Sequence, residues 1–566
     1  MDLVIRNGRI VDGTGRSAYI ADIGIAGGTI VSVGRVLQRG KTEIDAEGLV
    51  VTPGFIDAHT HMDAQVHWDP LGSCSSWHGV TSVVMGNCGF SLAPSRANAR
   101  QLITRNLERA EDISAAAMAA GIQWKWETFP EYLDALDRLP MGINYATYIG
   151  HSALRTWVMG EDAFEREATE EELKIMERAV AEALRAGAIG LSTSLSPNHE
   201  TADDRPVASR QASWDEVRRL VLVMREVGIG IFELSKEAAA NSPDLVARKE
   251  CLERMCALAV DSKVPMTFGL TALRGWQDHL GLLDETFRLG GRMYGQANSR
   301  SVNVLMSFRT RLPFDSLPEW RTVRGESLEV QRRLLQDPQI KRQLIDAAHH
   351  GAYARAVGAE ARKPNWDELR VYTGPFPPYP LVRDIAAERA VDVVELMIDL
   401  ALETNFDQFF IQSAVGGQEQ HEPDVMTILR HPHTVMTFSD SGAHVTQIAD
   451  FSIQTHMLAY WVRERGAFTL EEAVRMITSE PAKVWELHDR GRILEGMAAD
   501  LNLIDLERLM PGKLEVSADL PTGAKRLVQK ATGYAATIVA GQVVLRDGVA
   551  TGALPGRLLR SKARCV

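Results

Sequence analysis

The alternation of apolar and polar positions divides the chain into three textures. Within the first 50 residues, short alternating runs at 3–7, 9–11, 21–26, 29–33 and 43–45 predict strands, because an extended chain points successive side chains to opposite faces. Asn-Gly, Asp-Gly, Gly-Gly and Glu-Gly pairs punctuate them, and such pairs favour tight turns. The same texture returns near the C-terminus, at 499–504, 536–539 and 543–546, around turns at Ala540-Gly541 and Asp547-Gly548. Chain ends often lie close together in folded domains. The expectation is one β-sandwich domain built from residues 1–52 and 490–566.

Between these ends, residues 53–489 alternate short strand-like runs with longer helical stretches, the pattern of parallel βα units. Eight strands are predicted, at 54–59, 81–85, 144–149, 188–192, 228–234, 265–270, 292–296 and 434–439. The clearest helix covers 169–186, with Glu170, Glu171 and Glu172 at its start and Gly187 beyond its end. Eight such units predict an α/β fold, a TIM (β/α)8 barrel. The gap between the seventh and eighth strands is too long for a loop. It contains helical runs at 328–335 and 391–402, with irregular pieces at Lys363-Pro364-Asn365 and from Pro375 to Pro380. It reads as a cap inserted at approximately 312–405.

Composition narrows the function. Of 566 residues, 45% are hydrophobic and 24% charged, which excludes a disordered, collagenous or coiled-coil architecture. Lys and Arg number 62 against 74 Asp and Glu, a net charge of −12. That balance argues against nucleic acid or an anionic membrane as partner, since both select a basic face. Five scattered cysteines without a CxxC predict free thiols in a reducing compartment. The N-terminal segment lacks the apolar core of a signal peptide, and no run of about 18 apolar residues occurs. A cytoplasmic enzyme acting on a small molecule is expected, with homo-oligomerisation left open.

The strongest local signal is Asp57-Ala58-His59-Thr60-His61 at the end of the first predicted strand. Strand alternation puts both imidazoles on one side, at the barrel mouth where active sites form. Such a pair can ligate a divalent metal, although a lone HxH is more often structural. His431-Pro432-His433 precedes the eighth strand, so it is expected at the opposite mouth, and His349-His350 lies in a helical context; both are read as structural. Cys88, ending the second strand, offers either a soft ligand or inert packing. Asp440, ending the eighth, could bind metal and accept a proton, or cap a helix. Gly40-Lys41-Thr42 lacks both the spacing and the following helix of a P-loop, so no nucleotide site is read there.

Five stretches span nearly the whole chain in order: PGFIDAHTHMD from Pro53, GNCGFSLAP from Gly86, GHSALR from Gly150, EATEEELKIMERAVAEALRAGAIGLSTSL from Glu167 and DRGRILEGMAADL from Asp489. With the segment from Ser439 to His444, they resemble the amidohydrolase superfamily, and within it the N-acyl-D-amino-acid deacylase (D-aminoacylase) branch. The resemblance implies metal-binding histidines at the ends of strands five and six. Here Glu233 stands at the first position and Leu270 at the second, and strand four offers no lysine for a carbamylated bridge. The implied centre therefore holds about one divalent ion per chain, most simply zinc. Its ligands would be His59, His61 and Asp440, with Cys88 and Glu233 as further candidates. Asp440 and His151 are the expected catalytic residues, and Arg155 and Lys236 the expected substrate-binding ones; Arg274 is a weaker candidate. The implied activity is hydrolysis of the amide bond of an N-acyl amino acid or related amide by metal-activated water. The alternatives are a lactam, carbamate or ester substrate, or an inactive barrel retained for assembly.

Overall fold

The structure, a computed structural model, describes residues 1–272, 274–413 and 418–562. Eight parallel strands pair in sequence order: Phe55–Asp57, Val80–Met85, Asn144–Gly150, Gly190–Ser194, Ile231–Ser235, Met266–Gly269, Met293–Ala297 and Thr434–Met436. The eighth strand runs on as Phe438–Ser441, and Phe438 pairs in parallel with His59, just beyond the first strand. This closes a TIM-type barrel. The fourth and fifth strands begin two or three residues later than their sequence pattern suggested. Gly187, Gly228 and Gly230 all adopt positive φ, so the residues directly after them complete turns before the chain extends.

The helix Glu170–Ala186 shows why the segments between strands coil. Thr169 and Glu172 form a reciprocal capping box, and Gly187 closes the helix in the left-handed conformation. Its buried face, including Leu173, Met176, Val180 and Leu184, packs into the main core. Each such side chain contributes about 1.5–3 kcal/mol on burial. The strands Val80–Met85, Asn144–Gly150 and Gly190–Ser194 are buried along their whole length, as expected for a parallel sheet covered on both faces.

Residues from both chain ends meet in a nine-stranded sheet, where Leu501–Ile504 runs antiparallel to Val50–Pro53. The first two predicted strands are one, Leu3–Ile10. A register shift between Ile5 and Gly8, with Asn7 at φ 58°, absorbs the Asn-Gly pair as a bulge instead of a turn. The hairpin of Met510–Ser517 and Arg526–Thr532 has no counterpart among the predicted strands.

Between the seventh and eighth barrel strands the chain builds a three-stranded sheet from Asn303–Ser307, Arg370–Val371 and Phe409–Ser413. Helices that include Pro318–Arg324, Leu328–Gln336, Pro338–His350 and Val393–Glu403 surround a core of their own centred on Phe314, Trp320 and Leu396. Cys74, Cys88, Cys251 and Cys256 are free and buried, and Cys565 lies outside the described residues. Among the described residues no helix is long and apolar enough to cross a membrane.

Candidate active site

His59 and His61 leave the first strand at the C-terminal mouth of the barrel. The Nε2 atoms of both face one oxygen, Oδ1 of Asp440, at 3.2 and 3.6 Å. Asp440 reaches this point because the eighth strand ends in a tight reversal. Its own φ is +52°, and the next residue but one is Gly442 at φ +94°, where a Cβ would come within 2.6 Å of the His61 carbonyl. A side chain at Gly442 would push the two strand ends apart.

The second strand delivers Cys88 through Gly86-Asn87-Cys88-Gly89. Gly86 has φ +81°, and a Cβ there would meet the Tyr148 carbonyl at 2.8 Å. The amide of Asn87 donates to the carbonyls of Thr60 (3.1 Å) and Val84 (3.0 Å). The Gly89 amide donates to the Ser192 hydroxyl at 3.0 Å. So braced, Cys88 Sγ lies 3.6 Å from His59 Nε2. Donor atoms of His59, His61 and Cys88 all fall within 4.8 Å of one another.

Glu233, on the fifth strand, is buried beneath this trio. Its Oε2 accepts the Cys88 backbone N–H at 2.7 Å, while Oε1 has no hydrogen-bond partner among the described residues. Leu270 is buried and can ligate nothing. His59, His61, Cys88, Glu233, Lys236 and Asp440 all line one cavity of about 230 Å³. Lys236 donates to the Gly269 carbonyl, with its Nζ 4.3 Å from the centre of the Phe268 ring.

The electrostatics follow from burial among like and unlike charges. Burial pushes the Glu233 carboxyl up to about 7, although His59 and the Cys88 amide pull it down. Burial alone would raise Asp440, but hydrogen bonds and charge from His59 and His61 outweigh it and hold that carboxyl well below its ordinary range. His59 is the converse case, raised by Asp440 against the effect of burial. His61 is lowered by burial to about 4. Burial and then the charge of Glu233 raise the Cys88 thiol. Burial lowers Lys236 to about 7.

The structure does not bring His151 and Arg155 to this cavity. Both are buried on the helix His151–Met159. His151 Nδ1 contacts the Thr193 hydroxyl and Nε2 contacts Glu216, each at 2.8 Å. Arg155 donates to the same carboxylate at 2.6 and 2.5 Å. The expected contacts of His151 and Arg155 with substrate give way to a closed triad around Glu216, because the helix turns these side chains into the barrel wall and away from the cavity. Arg274 is exposed and does not line the cavity. His431 and His433 lie at the opposite end of the eighth strand, facing Asp284 at 3.2 and 3.8 Å.

Several cavity residues escaped sequence reasoning. Glu111 and His199 lie in segments with no motif to mark them, whereas His444 closes the Ser439–His444 stretch already singled out. Gln296 contacts His59 Nδ1 from the end of the seventh strand. A polar residue ending a buried barrel strand was the available signal for it.

This chain belongs to the amidohydrolase family, whose model matches residues 42–545. It is 28% identical to an uncharacterised protein of Mycobacterium tuberculosis, over 99% of this chain and 96% of the other. It is 26% identical to the N-acyl-D-glutamate deacylase of Alcaligenes xylosoxydans xylosoxydans, over 100% of this chain and 97% of that enzyme. The fold matches a D-aminoacylase structure with a TM-score of 0.66 at 24% identity, covering 99% of each chain. That enzyme has a binuclear metal centre with one-metal activation and second-metal attenuation.

Proposed function

We propose that the protein is a metal-dependent hydrolase that cleaves the amide C–N bond of an N-acyl amino acid or a related small amide. The observation that carries this reading is the convergence of two imidazole Nε2 atoms on one oxygen of Asp440. Two imidazole nitrogens and a carboxylate converging on one point match the donor set of a divalent cation. Glu233 Oε1, buried and without a hydrogen-bond partner among the described residues, and the adjacent Cys88 Sγ add oxygen and sulfur donors of the kind zinc accepts. The donor set fits one ion, held by His59, His61 and Asp440 with Cys88 or Glu233. Leu270 removes a donor that a second ion would use.

A divalent ion held there would supply Lewis acidity towards the scissile carbonyl and the attacking water. Asp440, kept ionised by its two histidines, can take a proton from the water and pass it to the leaving nitrogen. Lys236 lines the cavity and, when protonated, can pair with a substrate carboxylate. Relatives that act on N-acyl-D-amino acids support the substrate class. The four buried free thiols suit a reducing compartment and support a cytoplasmic location.

The test combines elemental analysis of protein purified without chelator with a panel of N-acyl-D- and N-acyl-L-amino acids, lactams, carbamates and esters. The expected result is about one zinc per chain, with hydrolysis of N-acyl amino acids lost on chelation and restored by the metal. Metal-free protein that still turns over, or activity confined to lactams or esters, would reject the reading.

A further inference from the structure

We infer that Glu111 is a positioning residue for this centre, accepting the Nδ1–H of His61 so that the ring presents Nε2 to the ion; the inference rests on the metal reading above. His59 shows the pattern. Its Nδ1 contacts Gln296 Oε1, and Gln296 Nε2 donates to the Thr267 hydroxyl at 3.0 Å. The amide is placed with its nitrogen on the Thr267 hydroxyl and its oxygen on the ring. With the amide oxygen towards His59, Nδ1 carrying the hydrogen leaves Nε2 as the donor atom towards Asp440 and Cys88.

His61 repeats the arrangement with the carboxyl group of Glu111 in place of the amide. Its Nε2 faces the same Asp440 oxygen, and its Nδ1 lies 3.4 Å from Glu111 Oε1. His61 Nδ1 and Glu111 Oε2 are both buried without a hydrogen-bond partner among the described residues. Leaving such groups unsatisfied is costly, and the Glu111 carboxyl is the acceptor that faces His61 Nδ1, through Oε1. Backbone geometry holds them together: the His444 N–H donates to the Glu111 carbonyl at 2.7 Å, tying this loop to the one that follows Asp440. A histidine whose second nitrogen donates to a carboxylate is fixed in one tautomer and is a more basic metal ligand.

Zinc affinity, measured on the full chain by competition with a fluorescent chelator, is expected to fall about 10–100-fold in Glu111→Ala. Glu111→Gln should fall between that variant and the wild type, because its amide oxygen still accepts the hydrogen bond. A merely structural role would lower thermal stability without grading zinc affinity in this order. Independently of any variant, 15N-histidine spectra of the zinc-loaded wild type should show His61 protonated at Nδ1 and bound through Nε2. An unchanged zinc affinity in Glu111→Ala, or His61 bound through Nδ1, overturns the inference while leaving the metal reading in place. A wild-type protein that binds no zinc overturns both.

Discussion

At the scale of the residue, two carboxylates with opposite environments define the site. Asp440 is held ionised by two imidazoles, whereas Glu233 is pushed up to about 7 by burial. Asp440→Asn should preserve the fold, since the amide nearly matches the carboxylate in volume, and should lower kcat by about 10²–10⁴-fold. Steady-state kinetics with metal content measured alongside would check it; near wild-type turnover with metal bound would remove Asp440 from its proposed role. Glu233→Gln keeps an acceptor for the Cys88 amide but loses the charge. Zinc affinity or turnover should fall about tenfold or more, while the melting temperature moves by no more than about 3 °C. The reverse outcome, lost stability with unchanged activity, would make Glu233 a piece of the barrel wall.

At the scale of the element, the helix His151–Met159 illustrates how a motif can be legible and its role misread. The segment beginning Gly150-His151 marks the end of the third strand, as read from the sequence. Which way His151 and Arg155 then point depends on Glu216, 61 residues beyond Arg155 on a separate helix. Burial pushes the Glu216 carboxyl up, but His151 and Arg155 outweigh it and bring it down from 4.5 to about 2. Because the folded value is depressed, this stabilisation is complete above about pH 4.5 and is lost as pH falls towards about 2. A shift from 4.5 to about 2 corresponds to about 3 kcal/mol. Glu216→Gln should therefore lower stability by about 3 kcal/mol at neutral pH, in the range expected for breaking a buried pair. Urea unfolding midpoints at pH 7 and near pH 3 would check it, with the gap between variant and wild type shrinking in acid. A gap that is the same at both values would show that the loss comes from packing and not from charge.

At the scale of the whole molecule, barrel closure makes the centre. His59 and Asp440 are 381 residues apart, yet the parallel pairing of Phe438 with His59 sets them side by side. The fourth strand braces the Cys88 turn through Ser192, the fifth supplies Glu233, and the seventh orients His59 through Gln296. Each strand contributes one or two groups at its C-terminal end, where the loops leave space for chemistry.

Much of this was determined by the sequence alone. The change from alternating to helical periodicity marked the eight barrel strands, because burial on both faces selects short apolar runs and covering helices select amphipathic ones. The spacing of His59 and His61 placed two imidazoles on one face, and glycine pairs marked the turns. Only the tertiary structure decided what depends on contacts between distant segments. The Asn7-Gly8 pair became a bulge because its strand is continuously paired with Tyr19–Ala26. His151 and Arg155 turned away from the cavity because Glu216 is buried beside them. Glu111 came to face His61 from a loop that carries no motif. Periodicity reports which face of an element is buried, a local property that one side chain carries by itself. The partner of a buried charge is set by how distant elements pack, and no local pattern encodes it.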